Sequence, residues 1–206
     1  PFKPRMTETT AKLFRTLGRY SGFGLRVVFG NLKIFTPLLC RLARSLGNDV
    51  NALMRTTVAF TQMEGSSARN VIPPEAKMVA NMRLNPADSV ERALAYLKKT
   101  VNDDSVEISA LESSEPSPVS ETGCPAWNKV SAAVAQTWPG CIVTPYLMVQ
   151  CSDSRHYGRI SDKVYRFSAM DLSSEERATI HGNNERIRVE TIHRAVEFYI
   201  RLMKKC

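Results

Sequence analysis

The sequence predicts an α+β chain, in which a small antiparallel sheet backed by helices is followed by a second part of α/β type. Three patterns lead to this prediction. A basic, apolar stretch at the start has helical spacing, two middle segments alternate like strands, and the last third alternates helical with apolar segments. With 206 residues, of which 43% are hydrophobic and 23% charged, the chain has the composition of one or two ordinary globular domains.

Positive charge is concentrated in the first 46 residues, which contain nine Lys and Arg residues and one acid, so the net charge of +8 arises there. The stretch is interrupted by charges too often to span a membrane, and its spacing fits amphipathic helices broken near Pro37. The spacing is carried by Leu25, Phe29, Leu32, Phe35, Leu38, Leu39 and Leu42. We expect helices with solvated basic faces; docking on a membrane surface is the alternative. Nucleic acid is not an expected partner, because no binding motif accompanies the charge.

The middle of the chain predicts two paired strands, a helix and a third strand. Residues 55–63 are rich in β-branched residues, and residues 75–84 alternate with period two, which puts Arg83 on the polar face of the second strand. A helix follows, capped by Asp88 with Glu91 three positions on, and its predicted buried stripe is Val90, Leu94, Leu97 and Val101. Residues 105–112 are then predicted to form a third strand. This order is most of a split β-α-β unit whose first strand we expect upstream of Pro1.

Residues 113–123 are rich in Ser, Pro and Glu, which is typical of a crossing between domains. Beyond them the sequence predicts a helix over 125–137, strands over 141–150 and 163–170, and a long final helix. The predicted packed face of that helix consists of Val189, Ile192, Val196, Tyr199 and Met203. We expect two domains, 1–114 with a basic helical insert over 8–47, and 115–206.

Four motifs occur in a familiar order: "NVIPPEAKMVANMRL" (70–84), "PSPVS" (116–120), "SDSRHY" (152–157) and "IHGNNE" (180–185). Together they resemble the aminoacylase, carboxypeptidase-S and carnosinase family of di-zinc peptidases (peptidase family M twenty), and most of all its N-acyl-amino-acid hydrolase branch. The resemblance implies a ferredoxin-like lid, often used for homodimerisation, followed by the C-terminal part of an α/β catalytic domain. It also implies two zinc ions and a peptide or N-acyl amino acid substrate with a free carboxylate.

The resemblance assigns particular roles to a few residues. His181 matches the family's last zinc ligand, and the other ligands and the general base are expected in an N-terminal half that this chain lacks. Arg83, thirteen positions after Asn70, matches the arginine that clamps the substrate carboxylate, and Asn70 matches the asparagine that holds substrate polar atoms. The loop residues Asp153, Ser154 and Arg155 are expected beside the substrate pocket.

Other chemistry-bearing residues receive structural interpretations. His156 and His193 are interpreted as structural, and Glu185 as a residue that starts a helix or supports the ligand. Cys151 is not expected to act as a nucleophile, because no histidine and acid accompany it. The five cysteines are odd in number and form no C-x-x-C pair, so neither a zinc knuckle nor a disulfide framework is expected, and the compartment stays open.

The chain begins with "PFKPR", without methionine, so we expect it to be part of a longer polypeptide. The parent is expected to be a zinc-dependent hydrolase, and this chain alone is expected to be inactive. Two alternatives stay open, a non-catalytic dimerisation or regulatory fragment and a protein associated with a membrane surface.

Overall fold

The structure is a computed structural model that describes residues 1–150 and 152–206. Its α-helices and strands are α1 Glu8–Arg19, α2 Phe23–Gly30, α3 Leu32–Leu42, α4 Asn48–Met54, β1 Thr57–Glu64, β2 Lys77–Arg83, α5 Val90–Val101, α6 Pro125–Thr137, α7 Ser174–Ala178 and α8 Val189–Met203. A 3-10 helix, Asp153–Arg159, lies between α6 and α7. The mixture of helices with a small antiparallel sheet confirms the predicted α+β class.

The described residues divide into two compact units. The first comprises residues 1–118 with the segment that begins at Tyr146, and the second comprises residues 119–145 and 152–206.

Helices α1 to α4 form the core of the first unit. Its buried members are Phe14, Leu32, Leu39, Ala43 and Met54. Helices α1 and α2 approach closely because Gly18 has no side chain, since a Cβ at that position would lie 2.8 Å from the Cβ of Phe29. The stacked rings of Phe14 and Phe29, with centroids 5.0 Å apart, fill the space beside this contact.

The predicted break near Pro37 is wrong, because Pro37 lies inside α3. The chain instead turns at Asn31, whose φ of -115° and ψ of 44° are not helical. The Asn31 backbone N–H bonds the carbonyls of Val27 and Val28, and its side-chain amide donates to the Val27 carbonyl at 2.8 Å. The non-helical backbone of Asn31 ends α2, and its side-chain amide bonds one of the last carbonyls of the helix. Pro37 costs α3 one backbone bond without ending it.

Strands β1 and β2 form an antiparallel hairpin, in which Thr57 pairs with Arg83 and Glu64 pairs with Lys77. An irregularity between Phe60 and Gln62 inserts one extra residue into β1. A bulge of this kind shifts the alternation of side chains, so Met63 stays opposite Met78 on the face that also carries Phe60. The predicted two-faced character of the second strand holds at its end, where Met82 and Leu84 are half-buried and Asn81 and Arg83 are exposed. It does not hold at its start, because Met78, on the face of Met82, is exposed and Val79, on the face of Arg83, is half-buried.

A buried polar network fixes the end of β2. The Asn85 backbone N–H donates to the Thr56 hydroxyl at 3.0 Å, and its side-chain amide donates to the Leu53 carbonyl at 3.3 Å. The Thr56 hydroxyl donates in turn to the Asp88 carboxylate, which also pairs with Arg5 at 3.0 Å. These bonds join the start of β1 to the connection between β2 and α5.

Helix α5 begins one residue later than predicted. Its cap is Ser89, whose hydroxyl accepts from the Arg92 N–H at 3.2 Å. Asp88 does not cap the helix, because its carboxylate already bonds Thr56 and Arg5. Of the predicted stripe, Val90, Leu94 and Leu97 are half-buried and Val101 is exposed, while the fully buried position is Ala93.

Three predicted strands are not formed. Residues 105–112, 141–150 and 163–170 contain no strand, and the described residues hold a single two-stranded sheet. Each segment has the apolar content of a strand, but no other described segment pairs with its backbone. A strand exists only with a hydrogen-bonded neighbour, so composition alone does not form one.

Helices α6 and α8 form the core of the second unit, where Phe198 is buried among Trp138, Phe167 and Ala133. Both helices lie where the sequence predicts them. The predicted packed face of α8 is wrong, however. Thr191 and Phe198 are buried, and Ala195 and Leu202 pack against the core. The predicted residues Val189, Ile192, Val196, Tyr199 and Met203 are exposed.

Candidate functional site

Arg83 lies at the last position of β2, two residues before the buried network at Asn85. Pairing with Thr57 and the anchored Asn85 backbone hold its main chain in place. The side chain is exposed, and one terminal nitrogen donates to the Val149 carbonyl at 2.5 Å. Within the described part of the chain, no carboxylate pairs with Arg83. A guanidinium has five donors in a planar fork, so those not used here are free to bind a carboxylate.

Asn70 lies in the connection between the two strands and is exposed. The strand register puts this connection at the end of the hairpin where Glu64 pairs with Lys77, whereas Arg83 lies at the other end. No hydrogen bond joins Asn70 to Arg83 in the described residues. A joint role for the two in binding one substrate therefore stays a prediction.

The loop residues 153–155 begin the 3-10 helix. The Ser152 hydroxyl accepts from the Ser154 N–H at 3.3 Å and thereby caps the first turn. Ser154 is half-buried, and its hydroxyl accepts from the Arg166 side chain at 2.8 Å. Asp153 and Arg155 are exposed. The segment is thus fixed by its serines, while its two charged side chains face solvent.

His181 lies in an exposed turn between α7 and α8. Its φ is 62° and that of Asn184 is 61°, so both residues adopt the left-handed conformation. This conformation costs a histidine about 1 kcal/mol or more and persists only where the surroundings impose it. The Glu185 carboxylate accepts from the His181 backbone N–H at 3.2 Å, which stabilises the turn. The imidazole ring bonds no described side chain.

An ion pair anchors both ends of the segment that carries His181. The Glu176 carboxylate accepts from the Arg188 guanidinium at 2.8 Å and closes a capping box with Ser173. Arg188 also donates to the Asp171 carbonyl at 2.9 Å. The Ser173 backbone N–H lowers the pKa of Glu176, and the Arg188 guanidinium acts in the same direction. The Glu176 carboxylate is therefore ionised at neutral pH and holds the turn in place.

The described residues do not provide a complete metal site. No group of three or more His, Cys, Asp and Glu side chains among them is arranged to hold a metal ion. The nearest carboxylate to His181 in the sequence, Glu185, bonds the backbone and not the ring. A catalytic zinc ion needs about three protein ligands, so His181 alone does not form such a site.

Cys124 and Tyr165 form a pair that the sequence did not indicate. The Cys124 sulfur lies 3.1 Å from the Tyr165 hydroxyl, at the cap of α6. The bond to Tyr165 lowers the pKa of the Cys124 thiol, and backbone N–H groups at the start of α6 act in the same direction. Burial, followed by the bond to Cys124, raises the pKa of Tyr165 to about 12. Because 41 residues separate the two, no local motif could have revealed the pair.

Comparisons with known proteins connect these residues to one family. Residues 31–109 match the family model of the peptidase dimerisation domain. The chain is 34% identical over 99% of its length to "Probable carboxypeptidase S-like 2" of Dictyostelium discoideum. It is 36% identical over 93% of its length to an N-fatty-acyl-amino acid synthase/hydrolase of Xenopus tropicalis, and 24% identical over 72% to carboxypeptidase S of Saccharomyces cerevisiae. No solved structure matches the chain.

The chain therefore contains a peptidase dimerisation domain and belongs to the peptidase family that includes carboxypeptidase S. The family resemblance drawn from the four motifs is confirmed. The chain spans 39% of the Dictyostelium relative and 38% of the Xenopus relative, so it corresponds to about two fifths of each.

Proposed function

We propose that the intact protein is a hydrolase that cleaves an amide bond next to a free carboxylate. One observation carries this proposal, the similarity of nearly the whole chain to a carboxypeptidase S-like protein and to an N-fatty-acyl-amino acid synthase/hydrolase. A carboxypeptidase and an N-acyl-amino-acid hydrolase act on the same chemical arrangement, an amide whose nitrogen belongs to an amino acid with a free carboxylate. This chain supplies the groups that recognise that arrangement.

Arg83 is the proposed clamp for the substrate carboxylate. Three features of its surroundings support this role: a fixed main chain at the end of β2, an exposed side chain, and no carboxylate partner in the described chain. A bidentate pair between guanidinium and carboxylate is short, strong and directional, so it would orient the substrate as well as bind it. Asn70 is proposed to bind a second polar atom of the substrate.

We propose that residues Asp153, Ser154 and Arg155 border the substrate pocket of the intact protein. Ser154 fixes the segment through Arg166, which leaves Asp153 and Arg155 directed to solvent and available to polar substrate atoms.

His181 is proposed as one ligand of a zinc centre whose other ligands lie outside this chain. The anchored turn and the ring that bonds no described side chain support a ligand role. Because the described residues hold no complete site, the proposal assigns to this chain one imidazole and no catalytic base. The 206-residue chain by itself is therefore expected to be inactive.

The test compares a substrate that has a free carboxylate with one that lacks it. In the full-length protein, Arg83→Ala should weaken transition-state binding of an N-acyl amino acid by about 2 to 5 kcal/mol, measured as a lower kcat/KM, which is the cost of losing a charge pair that substrate binding buries. The methyl ester of the same compound should lose far less, because it offers no charge to the guanidinium. Lys77→Ala on the same strand is the matched control, since Lys77 forms an exposed pair with Glu75 at 3.6 Å.

Two results would contradict the proposal. If wild-type protein hydrolyses neither substrate, the assignment of the reaction is wrong. If Arg83→Ala affects the free acid and the ester equally, Arg83 does not bind the carboxylate.

A further inference from the structure

Helices α2 and α3 expose large apolar side chains together with positive charge. Phe23 and Ile34 are 83% and 73% exposed, and Leu25, Leu38 and Leu42 are also exposed. These five residues are called here the apolar patch. The same helices bury a different side, which includes Leu32 and Leu39. The helices therefore already contact their own unit, and the apolar patch is a second face that this contact leaves open.

The exposed face of α3 has regular helical spacing. Ile34, Leu38 and Arg41 follow one another at intervals of four and three residues, which puts them on one stripe. Lys33 and Leu42 border this stripe and are exposed. Apolar side chains on this face thus lie beside the basic residues Arg41 and Lys33, and helices that combine exposed apolar residues with Lys and Arg are typical of those that lie in the plane of a membrane surface.

The charge around the apolar patch has one sign. Residues 9–48 contain seven Lys and Arg residues and no Asp or Glu. Arg26 donates to the carbonyls of Arg19 and Ser21, and within the described part of the chain no acid pairs with Arg26, Lys33 or Arg41. These charges are available to an anionic partner. Basic residues near the anionic leaflet of a bilayer each contribute favourably to binding.

Helix length favours lying on a bilayer over crossing it. No single described helix has the length and apolar character of a membrane span, although α2 and α3 meet both criteria as a pair that is bent by 106°. At about 1.5 Å per residue, α2 and α3 are roughly 12 and 16 Å long, well short of the roughly 30 Å of a hydrocarbon core.

We propose that the face formed by α2 and α3 docks on an anionic lipid bilayer, with the apolar patch entering the headgroup region and the basic residues contacting lipid phosphates. Two other occupants fit less well. A second copy would bring an equally positive face against this one, and like charges repel. A nucleic acid would satisfy the charges but would leave Phe23 and Ile34 in water.

Co-sedimentation of the full-length protein with vesicles tests the proposal. The protein should bind vesicles of equal parts phosphatidylserine and phosphatidylcholine at least tenfold more tightly than vesicles of phosphatidylcholine alone. The double variants Phe23→Ser/Ile34→Ser and Lys33→Glu/Arg41→Glu should each weaken binding at least tenfold. Raising the salt concentration should weaken binding of the wild type more than that of Lys33→Glu/Arg41→Glu, because salt screens the charges and not the apolar contact.

Matched variants elsewhere in the first unit control for nonspecific effects. Val106→Ser/Leu111→Ser removes two apolar side chains that are also exposed, and Lys98→Glu/Lys99→Glu reverses two charges at the end of α5. Neither control should change vesicle binding. Thermal unfolding of all four variants should match the wild type, because every substituted side chain is exposed.

Three results would overturn the proposal. The first is equal sedimentation of the wild type and Phe23→Ser/Ile34→Ser. The second is wild-type binding to single-stranded RNA that matches binding to anionic vesicles, which would make the face a general polyanion site. The third is a dimer, seen by light scattering, that Phe23→Ser/Ile34→Ser abolishes, which would assign the face to a second copy.

Discussion

Asp88 stabilises the first unit through two charged contacts that a neutral residue cannot replace. Its nearly buried carboxylate accepts from the Thr56 hydroxyl and pairs with Arg5 at 3.0 Å. A hydrogen bond to a charged group contributes about 1.5 to 3 kcal/mol, and removing the acceptor also leaves a buried hydroxyl without its partner. Asp88→Ala is therefore expected to lower the free energy of unfolding by about 2 to 4 kcal/mol in urea denaturation.

Asp104→Ala is the matched control for Asp88. Asp104 is an exposed acid of the same unit, and its replacement should change the free energy of unfolding by less than about 0.5 kcal/mol. Equal stability of the two variants would show that the polar network contributes little.

Glu176 should make stability depend on pH in the acid range. Its folded pKa is lowered below the ordinary 4.5, so the carboxylate stabilises the fold above that pH and the effect is lost as pH falls through the folded pKa. The melting temperature of Glu176→Gln should therefore lie below that of the wild type at pH 7, and the two should converge below pH 4.5. Glu175→Gln, on the same turn and exposed, is the control. A constant difference across the pH range would contradict the assigned cause.

Individual residues were predictable where one short segment determines their environment. Period-two alternation correctly predicted that Arg83 is exposed on the same face of β2 as Asn81, although the opposite face is buried only in part, since Met78 is exposed. The Gly and Asn residues beside His181 are typical of a turn, and the structure has one there. The network of Thr56, Asn85 and Asp88 was not predictable, because its members lie 29 and 32 residues apart and meet only in the folded chain.

At the scale of elements, every helix that the sequence predicted is formed. The errors concern which face of a helix is packed and whether a predicted strand has a neighbouring strand to pair with. Helix α8 carries apolar residues on two sides, so hydropathy alone cannot decide which side packs. The side of α8 that carries Phe198 is the packed side, because the Phe198 ring contacts the rings of Trp138 and Phe167. The strands predicted over 141–150 and 163–170 fail for a different reason. Strand formation depends on a partner, and the described residues offer none.

Helix α3 should become more stable when its proline is replaced. Pro37 lies six residues into the helix, where it lacks the N–H that would bond the carbonyl four residues earlier. Pro37→Ala is therefore expected to raise the free energy of unfolding by about 1 to 2 kcal/mol, which is part of the roughly 3 kcal/mol difference in helix propensity. Urea denaturation measures the change. Pro118→Ala, at an exposed position outside any helix, should give no gain. A loss of stability in Pro37→Ala would mean that the proline fixes a bend that the core requires.

For the whole molecule, we expect the 206-residue chain and the full-length protein to differ in zinc content. The 206-residue chain should retain no zinc after dialysis, because its described residues contain no group that could hold an ion. The full-length protein should retain about two zinc ions, and His181→Ala should lower that content. Atomic absorption measures both. His156→Ala, an exposed histidine of the 3-10 helix, is the control. Unchanged zinc content in His181→Ala would remove this residue from the ligand set.

The apolar face of the hairpin is the surface at which we expect two copies to associate. It belongs to the dimerisation domain matched over residues 31–109, and it exposes Phe60, Met63 and Met78 by 66%, 78% and 58%. Exposed apolar side chains of this size on one sheet face are typical of an interface. We therefore expect the full-length protein to be a dimer in sedimentation velocity experiments. Phe60→Asp/Met78→Asp should raise the dissociation constant at least tenfold, which corresponds to about 1.4 kcal/mol.

The control for this face is Leu111→Asp, because Leu111 is at least as exposed but lies outside the matched domain. It should leave the dissociation constant unchanged. Circular dichroism should show that Phe60→Asp/Met78→Asp still folds, since both side chains already contact water. If the folded double variant is still a dimer at the protein concentration at which the wild type is a dimer, the interface lies elsewhere. If the wild type is a monomer, the matched dimerisation domain does not dimerise in this protein.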